Sequence, residues 1–199
     1  MSTLANIRAR STWRDIVEGQ FQHLGLIILL TAGTCSLIEP SPNGARLLGL
    51  ESWQWAVLSM WLAVIHQVIV AIVFRLQMHC NLVTRMRGEN DLKTWTIIFL
   101  PFLAVRPVTV IMVGWADDVP IGLPWGIEWA LGTLLIALAI VTMHSVLKHF
   151  TIRRAVGGDH FRDDIAAMPM VKEGVFKYTD NAMYGVVFLG LWGIALLFD

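Results

Sequence analysis

Apolar and polar positions fall into long blocks along this chain. Five apolar runs, about Phe21–Ile38, Trp53–Phe74, Trp95–Trp115, Trp125–Leu147 and Met183–Phe198, are divided by polar segments. A membrane span needs about 20 residues at 1.5 Å rise per residue. The first four runs hold 18 residues or more and the fifth holds 16. Inside a bilayer the backbone must satisfy its own hydrogen bonds, so runs of this kind form helices. The pattern predicts an all-α, polytopic transmembrane helical bundle of about five spans. It forms one integral-membrane domain over residues 1–199: an N-terminal segment 1–20, four helices within 21–147, a polar loop 148–182 and a fifth helix at 183–199. Trp53, Trp55, Trp95, Trp115, Trp125 and Trp129 stand at run ends, where an aromatic belt meets the interface.

Composition supports the same class. Hydrophobic residues make up 56% of the 199 positions and charged residues only 15%, with a mean hydropathy of +0.62; a soluble domain carries about 25% charge. Net charge is zero, so no nucleic-acid partner is expected. Two cysteines, Cys35 and Cys80, form no disulfide framework. Residues 1–20 are polar and mixed in charge and are expected to remain as a segment, with no cleaved signal. Lys and Arg then set the orientation. Segment 1–20 has three, loop 39–52 one, loop 75–94 four, loop 116–124 none and loop 148–182 six. The N-terminus and loops 75–94 and 148–182 are therefore expected in the cytosol, with the chain in a bacterial inner membrane or the endoplasmic reticulum. The loop Glu39–Gly44 reads as a turn, and Asp117-Asp118 as a short acidic connection.

Ionisable residues inside the runs are the first candidates for chemistry. Arg106 lies mid-run between Pro101 and Pro107. It is either a structural cation meeting carbonyls freed by the prolines or a residue that faces a ligand. His66 and Gln67 are placed for a helix–helix hydrogen bond. Six histidines, none paired at a three- or four-residue interval, give no metal-ligand set, so no metal is expected.

The polar stretch carries the rest. Gly157-Gly158-Asp159-His160-Phe161 is a glycine break, Gly174 marks a turn, and Asp180-Asn181 stand where they can cap the last helix. The run Met170-Val171, Gly174-Val175-Phe176, Asp180-Asn181-Ala182-Met183-Tyr184 resembles the cofactor segment of the integral-membrane methyltransferases. It is closest to the phosphatidylethanolamine and phospholipid N-methyltransferases, with the isoprenylcysteine carboxyl methyltransferases as a sister resemblance. The phospholipid enzymes carry Asp-Asn-Pro-Met-Tyr before a helix with Leu-Gly near its middle, and Gly-Asp-Tyr-Phe upstream. This chain has Leu189-Gly190 and Gly158-Asp159-His160-Phe161 at those places. It departs in three ways: Ala137-Leu138-Ala139 stands at the family's Gly-x-Gly, Ala182 stands at its Pro, and its Glu-Glu pair has no counterpart in residues 1–199.

The resemblance implies methyl transfer from S-adenosylmethionine to a membrane lipid, most directly to the amine of a phospholipid head group. By the same resemblance Ala137, Ala139, Gly158, Val171, Lys172, Phe176, Asn181, Ala182, Met183 and Tyr184 hold the cofactor. Tyr184 and Phe176 would face the sulfonium. Asp180, His160 and Asp159 are the catalytic candidates, as proton acceptors or head-group contacts, and Arg106 is the candidate substrate contact. A prenyl-cysteine carboxylate or another amphipathic acceptor is the alternative, and a transporter or scaffold without catalysis is the reading of another class.

Overall fold

The computed structural model describes residues 3–40, 45–117 and 119–198. Residues 41–44, on which most of the turn expected over Glu39–Gly44 falls, and residues 1, 2, 118 and 199 lie outside the described residues. Helices follow in the order α1 (Thr3–Arg10), α2 (Trp13–Val17), α3 (Gln20–Leu37), α4 (Ser52–Cys80), α5 (Leu82–Arg87), α6 (Asp91–Ala116), α7 (Trp125–Ser145), α8 (Ile152–Ala155), α9 (Asp163–Ala166) and α10 (Leu189–Leu197). Among the described residues extended pairing is limited to one isolated bridge, Leu47 to Leu50. Four segments are long and apolar enough to cross a membrane: Trp13–Leu37, Ser52–Cys80, Leu82–Ala116 and Trp125–Phe150. The chain is thus all-α and polytopic, as the blocks predict. The fifth segment, Met183–Leu197, is a shorter apolar helix, because polar Asp180 and Asn181 bound it on one side.

Helix ends differ from the apolar runs where polar side chains find partners. α4 continues past Phe74 through Arg75, Gln77 and His79. Arg75 donates to the carbonyls of Asp15 at 3.2 Å and Glu18 at 2.7 Å, and Ser11 Oγ lies 2.8 Å from His79 Nδ1. Gln77 is fully buried, and its amide meets Asn81, Val83 and Thr84. The helix stops at Asn81, whose φ of 53° is left-handed. α6 runs unbroken through Pro101 and Pro107.

The contacts divide the chain into two compact units. The first comprises Met1–Thr34, Leu62–Leu103 and Ile152–Met170. Its core joins Leu92, Trp95 and Phe99 of α6 to Val156, Phe161 and Ile165, with Ile69, Val70, Val73 and Phe74 of α4 against them. The first half of the polar loop is therefore folded onto two helices. Polar contacts fix it there: Trp95 Nε1 donates to the Val156 carbonyl at 2.8 Å, and the Leu4 amide donates to Asp163 Oδ1 at 2.8 Å. Arg162 grips the fully buried Asp91 with two nitrogens, at 2.9 and 2.5 Å. His66 packs edge-on to Phe99 and stacks on Phe102, with centroids 5.1 and 5.6 Å away.

The second unit comprises Cys35–Trp61, Ala104–Thr151 and Val171–Asp199. Here α10 lies along α7 through small residues. A side-chain carbon added to Gly193 would stand 2.8 Å from the Gly132 carbonyl oxygen and 3.0 Å from the Ile136 nitrogen. One added to Gly190 would stand 2.8 Å from the Ala139 methyl. Such contacts let helices approach closely where lipid removes the hydrophobic drive for association. Ser52 Oγ donates to the Val113 carbonyl at 3.2 Å, and Thr109 Oγ1 to Ser59 Oγ at 3.0 Å, binding α4 to α6. Leu29, Leu30 and Trp192 are more than half exposed, as lipid-facing side chains are.

Candidate active site

The polar stretch enters the second unit where α7 ends. Beyond Ser145 the helix widens into a π-turn, Val146–Phe150, and a second π-turn, Met183–Val187, opens the fifth segment. Widened turns of this kind are frequent at functional sites, and these two flank the methyltransferase-like run. Ser145 is buried, and its hydroxyl oxygen accepts the Val175 amide at 3.0 Å. Gly174 has φ +58°, and a side-chain carbon there would collide with Ser145 Oγ. Glycine is thus required twice, by backbone conformation and by space.

His149 and Glu173 form a pair beside this turn. His149 Nδ1 lies 3.0 Å from Glu173 Oε2. A carboxylate can only accept, so Nδ1 carries the proton and Nε2 keeps its lone pair when the ring is neutral. Ser145, His149 and Glu173 do not stand out in the sequence. The signal that could have found them is their place against Gly174, with Ser145 and His149 four positions apart at the end of a span.

The residues singled out by sequence divide between the two units. In the second unit Ala139 meets Gly190 in the α7–α10 contact, Ala137 is exposed, and Ala182 is fully buried. Phe176 is buried and stacks on Phe150, centroids 5.4 Å apart, so that ring face is taken by packing. Val171 and Met183 are half-buried and Asn181 is exposed. Asp180 pairs with Lys172 at 3.6 Å, both side chains well exposed. The expected cap differs: the Met183–Val187 turn has no side-chain cap, while the Thr179 hydroxyl takes the Asn181 amide at 3.2 Å. Tyr184 is 61% exposed and stacks on Phe188 at 5.9 Å. Arg106 also belongs here. Its guanidinium lies over the Phe188 ring at 5.0 Å, and it has no ion-pair partner among the described residues. The proline-freed carbonyls expected as its partners are not what it meets; the aromatic face is.

Gly158, Asp159 and His160 stand in the first unit. Gly158 is buried against the Arg153 carbonyl and Ile165, and Gly157 leaves no room for a side chain beside the Phe74 ring. His160 stacks on Phe74 at 4.2 Å, with Nδ1 3.1 Å from Asp159 Oδ1 and 3.2 Å from the Gly157 carbonyl oxygen. The hydrogen bond from His160 holds the Asp159 carboxyl below the usual range, against the opposing effect of burial.

A cofactor with a sulfonium cation, a carboxylate and an amino group needs an aromatic face and both signs of charge. The turn Lys172–Tyr184 offers these: the open Tyr184 ring, the Asn181 amide, the Asp180 carboxylate and the Lys172 ammonium. The residues present fit S-adenosylmethionine by their chemistry.

Residues 127–199 match the phospholipid methyltransferase family. The match covers α7 from Ile127 onward, the polar stretch and the fifth segment, and leaves residues 1–126 outside it. It bears out the resemblance carried by the Asp180–Tyr184 run. No curated protein and no solved structure matches the chain.

Proposed function

We propose that this chain, whose residues 127–199 match the phospholipid methyltransferases, methylates the amine of a phospholipid head group with S-adenosylmethionine. The family match over the Asn181–Tyr184 turn, with Asn181 and Tyr184 exposed, carries this reading. When bound, S-adenosylmethionine supplies an electrophilic methyl carbon and leaves as a neutral thioether. Methyl transfer is a direct displacement, so the protein's work is alignment and proton removal.

The residues divide that work. Tyr184 presents its ring to a cation. Asn181 and Lys172 hold polar groups of the cofactor at the surface, and the close α7–α10 packing at Ala139 and Gly190 fixes the turn above it. The amine must lose a proton to expose its lone pair. Asp180 is the proposed acceptor on this turn. Arg106, lacking a carboxylate partner, faces the head-group phosphate. The Lys and Arg count of segments 1–20, 75–94 and 148–182 supports a cytosolic position for this turn, where a water-soluble cofactor enters.

A carboxylate acceptor is the second reading, favoured by the same unpaired Arg106. Calorimetry of the detergent-purified chain with S-adenosylmethionine and S-adenosylhomocysteine tests the cofactor. Saturable binding that Tyr184→Ala abolishes is expected, and its absence from a folded chain refutes the reading. Isotope transfer to extracted lipids then separates the acceptors: an N-methyl group survives alkali, whereas a methyl ester is released as methanol.

A further inference from the structure

α5 ends at Arg87, a tight turn spans Gly88–Asn90, and α6 starts at Asp91, so the chain doubles back on itself. The fold-back encloses an open cleft of about 510 Å³, lined by Met86, Arg87, Asn90, Lys93, Thr94 and Ile97. Nothing in the methyl-transfer reading uses it.

The cleft is built for an anion. Arg87 Nε donates to Thr94 Oγ1 at 3.4 Å, which leaves both terminal guanidinium nitrogens without a partner among the described residues. Lys93 likewise has no ion-pair partner among the described residues. The Asp91 carboxylate is not available to them, being buried and committed to Arg162 and Thr84. Glu89 is exposed, and its backbone carbonyl accepts from Arg162 at 3.2 Å. Two cations and the Asn90 amide therefore converge with their donors unspent. A guanidinium and an ammonium together suit a phosphate, the first by its paired nitrogens and the second as a point charge.

The flanks identify the source of that phosphate. Met86 is 72% exposed and Ile97 63% exposed. Ile97 begins a lipid-facing stretch of α6 that continues through Ile98 and Leu100. Donors at the edge of an apolar wall match a head group whose acyl chains run down that wall; a soluble anion has no use for it. We propose that the Arg87–Lys93 cleft binds the phosphate of a membrane lipid with net negative charge, apart from any methyl acceptor.

Native mass spectrometry of the full chain, released from micelles containing equal phosphatidylglycerol and phosphatidylcholine, tests this. Retention of the anionic lipid by about tenfold over the zwitterionic one is expected, with the preference lost in Arg87→Gln/Lys93→Gln. Both substituted side chains are exposed, and unchanged thermal unfolding of the variant confirms that only the site was altered. Ile97→Ser is expected to shorten retention while keeping the charge preference. Equal retention of the two lipids, or a preference that survives the double substitution, overturns the proposal. Full displacement of the lipid by millimolar glycerol phosphate also overturns it, by assigning the cleft to a soluble anion.

Discussion

The Arg106 guanidinium carbon lies 5.0 Å from the centre of the Phe188 ring, and Phe188 stacks on Tyr184 at 5.9 Å and 22°. A cation within an apolar span is thus joined through two rings to the exposed turn of the methyltransferase-like run. Phe188→Leu keeps apolar bulk and removes the ring face, so it is expected to cost about 2 kcal/mol, the magnitude of a desolvated cation–π contact. Thermal unfolding in detergent measures this. Arg106→Gln is expected to raise KM for the lipid more than it lowers kcat, because the phosphate contact proposed for Arg106 would act in ground and transition states alike.

Close packing of α7 on α10 predicts a sharper effect. Gly193→Ala places a methyl 2.8 Å from the Gly132 carbonyl oxygen, a backbone atom that cannot swing aside. Overpacking of this kind costs about 1–3 kcal/mol. Gly126→Ala, where nothing lies within 4 Å, is expected to be neutral. Unfolding midpoints of the two variants provide the comparison, and equal midpoints would show that the α7–α10 contact is loose.

How much of this was written in the sequence depends on range. Phe21–Ile38 and its successors are local blocks with few charges, and bilayer thickness converts such blocks directly into helices. The Asp180–Tyr184 run was legible because its residue types are contiguous. Arg106 on Phe188 was not, since the two lie far apart in the chain and proline carbonyls offered a nearer partner. Nor was the folding of residues 152–170 onto α4 and α6. A charged loop reads as solvated, yet its apolar Val156, Phe161 and Ile165 join the core, and the pairings of Arg162 with Asp91 and of Trp95 with the Val156 carbonyl draw it in. The widened turns at Val146–Phe150 and Met183–Val187 leave no mark in composition.

Gly174 gives a test by rescue. Gly174→Ala meets two penalties, the left-handed φ of +58° and the collision with Ser145 Oγ. Ser145→Gly removes the second alone. The single Gly174→Ala change is expected to cost about 2–3 kcal/mol, and Ser145→Gly/Gly174→Ala to recover part of it. A double variant no better than the sum of the singles would mean that backbone strain is the whole effect.

Acid provides a separate probe of the first unit. The Asp159 carboxyl is held below its ordinary value of 3.8, chiefly by the hydrogen bond from His160. A depressed folded value stabilises the fold above the unfolded pKa and loses that stability as pH falls through the folded value. The contribution is therefore complete above about pH 4–5 and fades below it. His160→Ala is expected to move the acid-unfolding midpoint to higher pH, read by tryptophan fluorescence. An unmoved midpoint would show that the pair does not couple to folding.

The buried pair of Asp91 and Arg162 gives the largest expected loss. Asp91 has no exposed side-chain surface, whereas Arg162 keeps 29%. Hydrogen bonding to Asp91 holds the Arg162 guanidinium above its usual range, against the effect of burial. Arg162→Gln leaves a buried carboxylate with only Thr84 and the Leu92 amide for company. Breaking one side of a buried pair costs about 3–5 kcal/mol, because the remaining charge stays desolvated. Asp91→Asn/Arg162→Gln removes that charge as well, so it is expected to be more stable than Arg162→Gln alone, despite carrying one more substitution. Denaturant unfolding of the two variants gives the order directly. The reverse order would mean that Asp91 is held mainly by Thr84 and the Leu92 amide, with Arg162 a bystander.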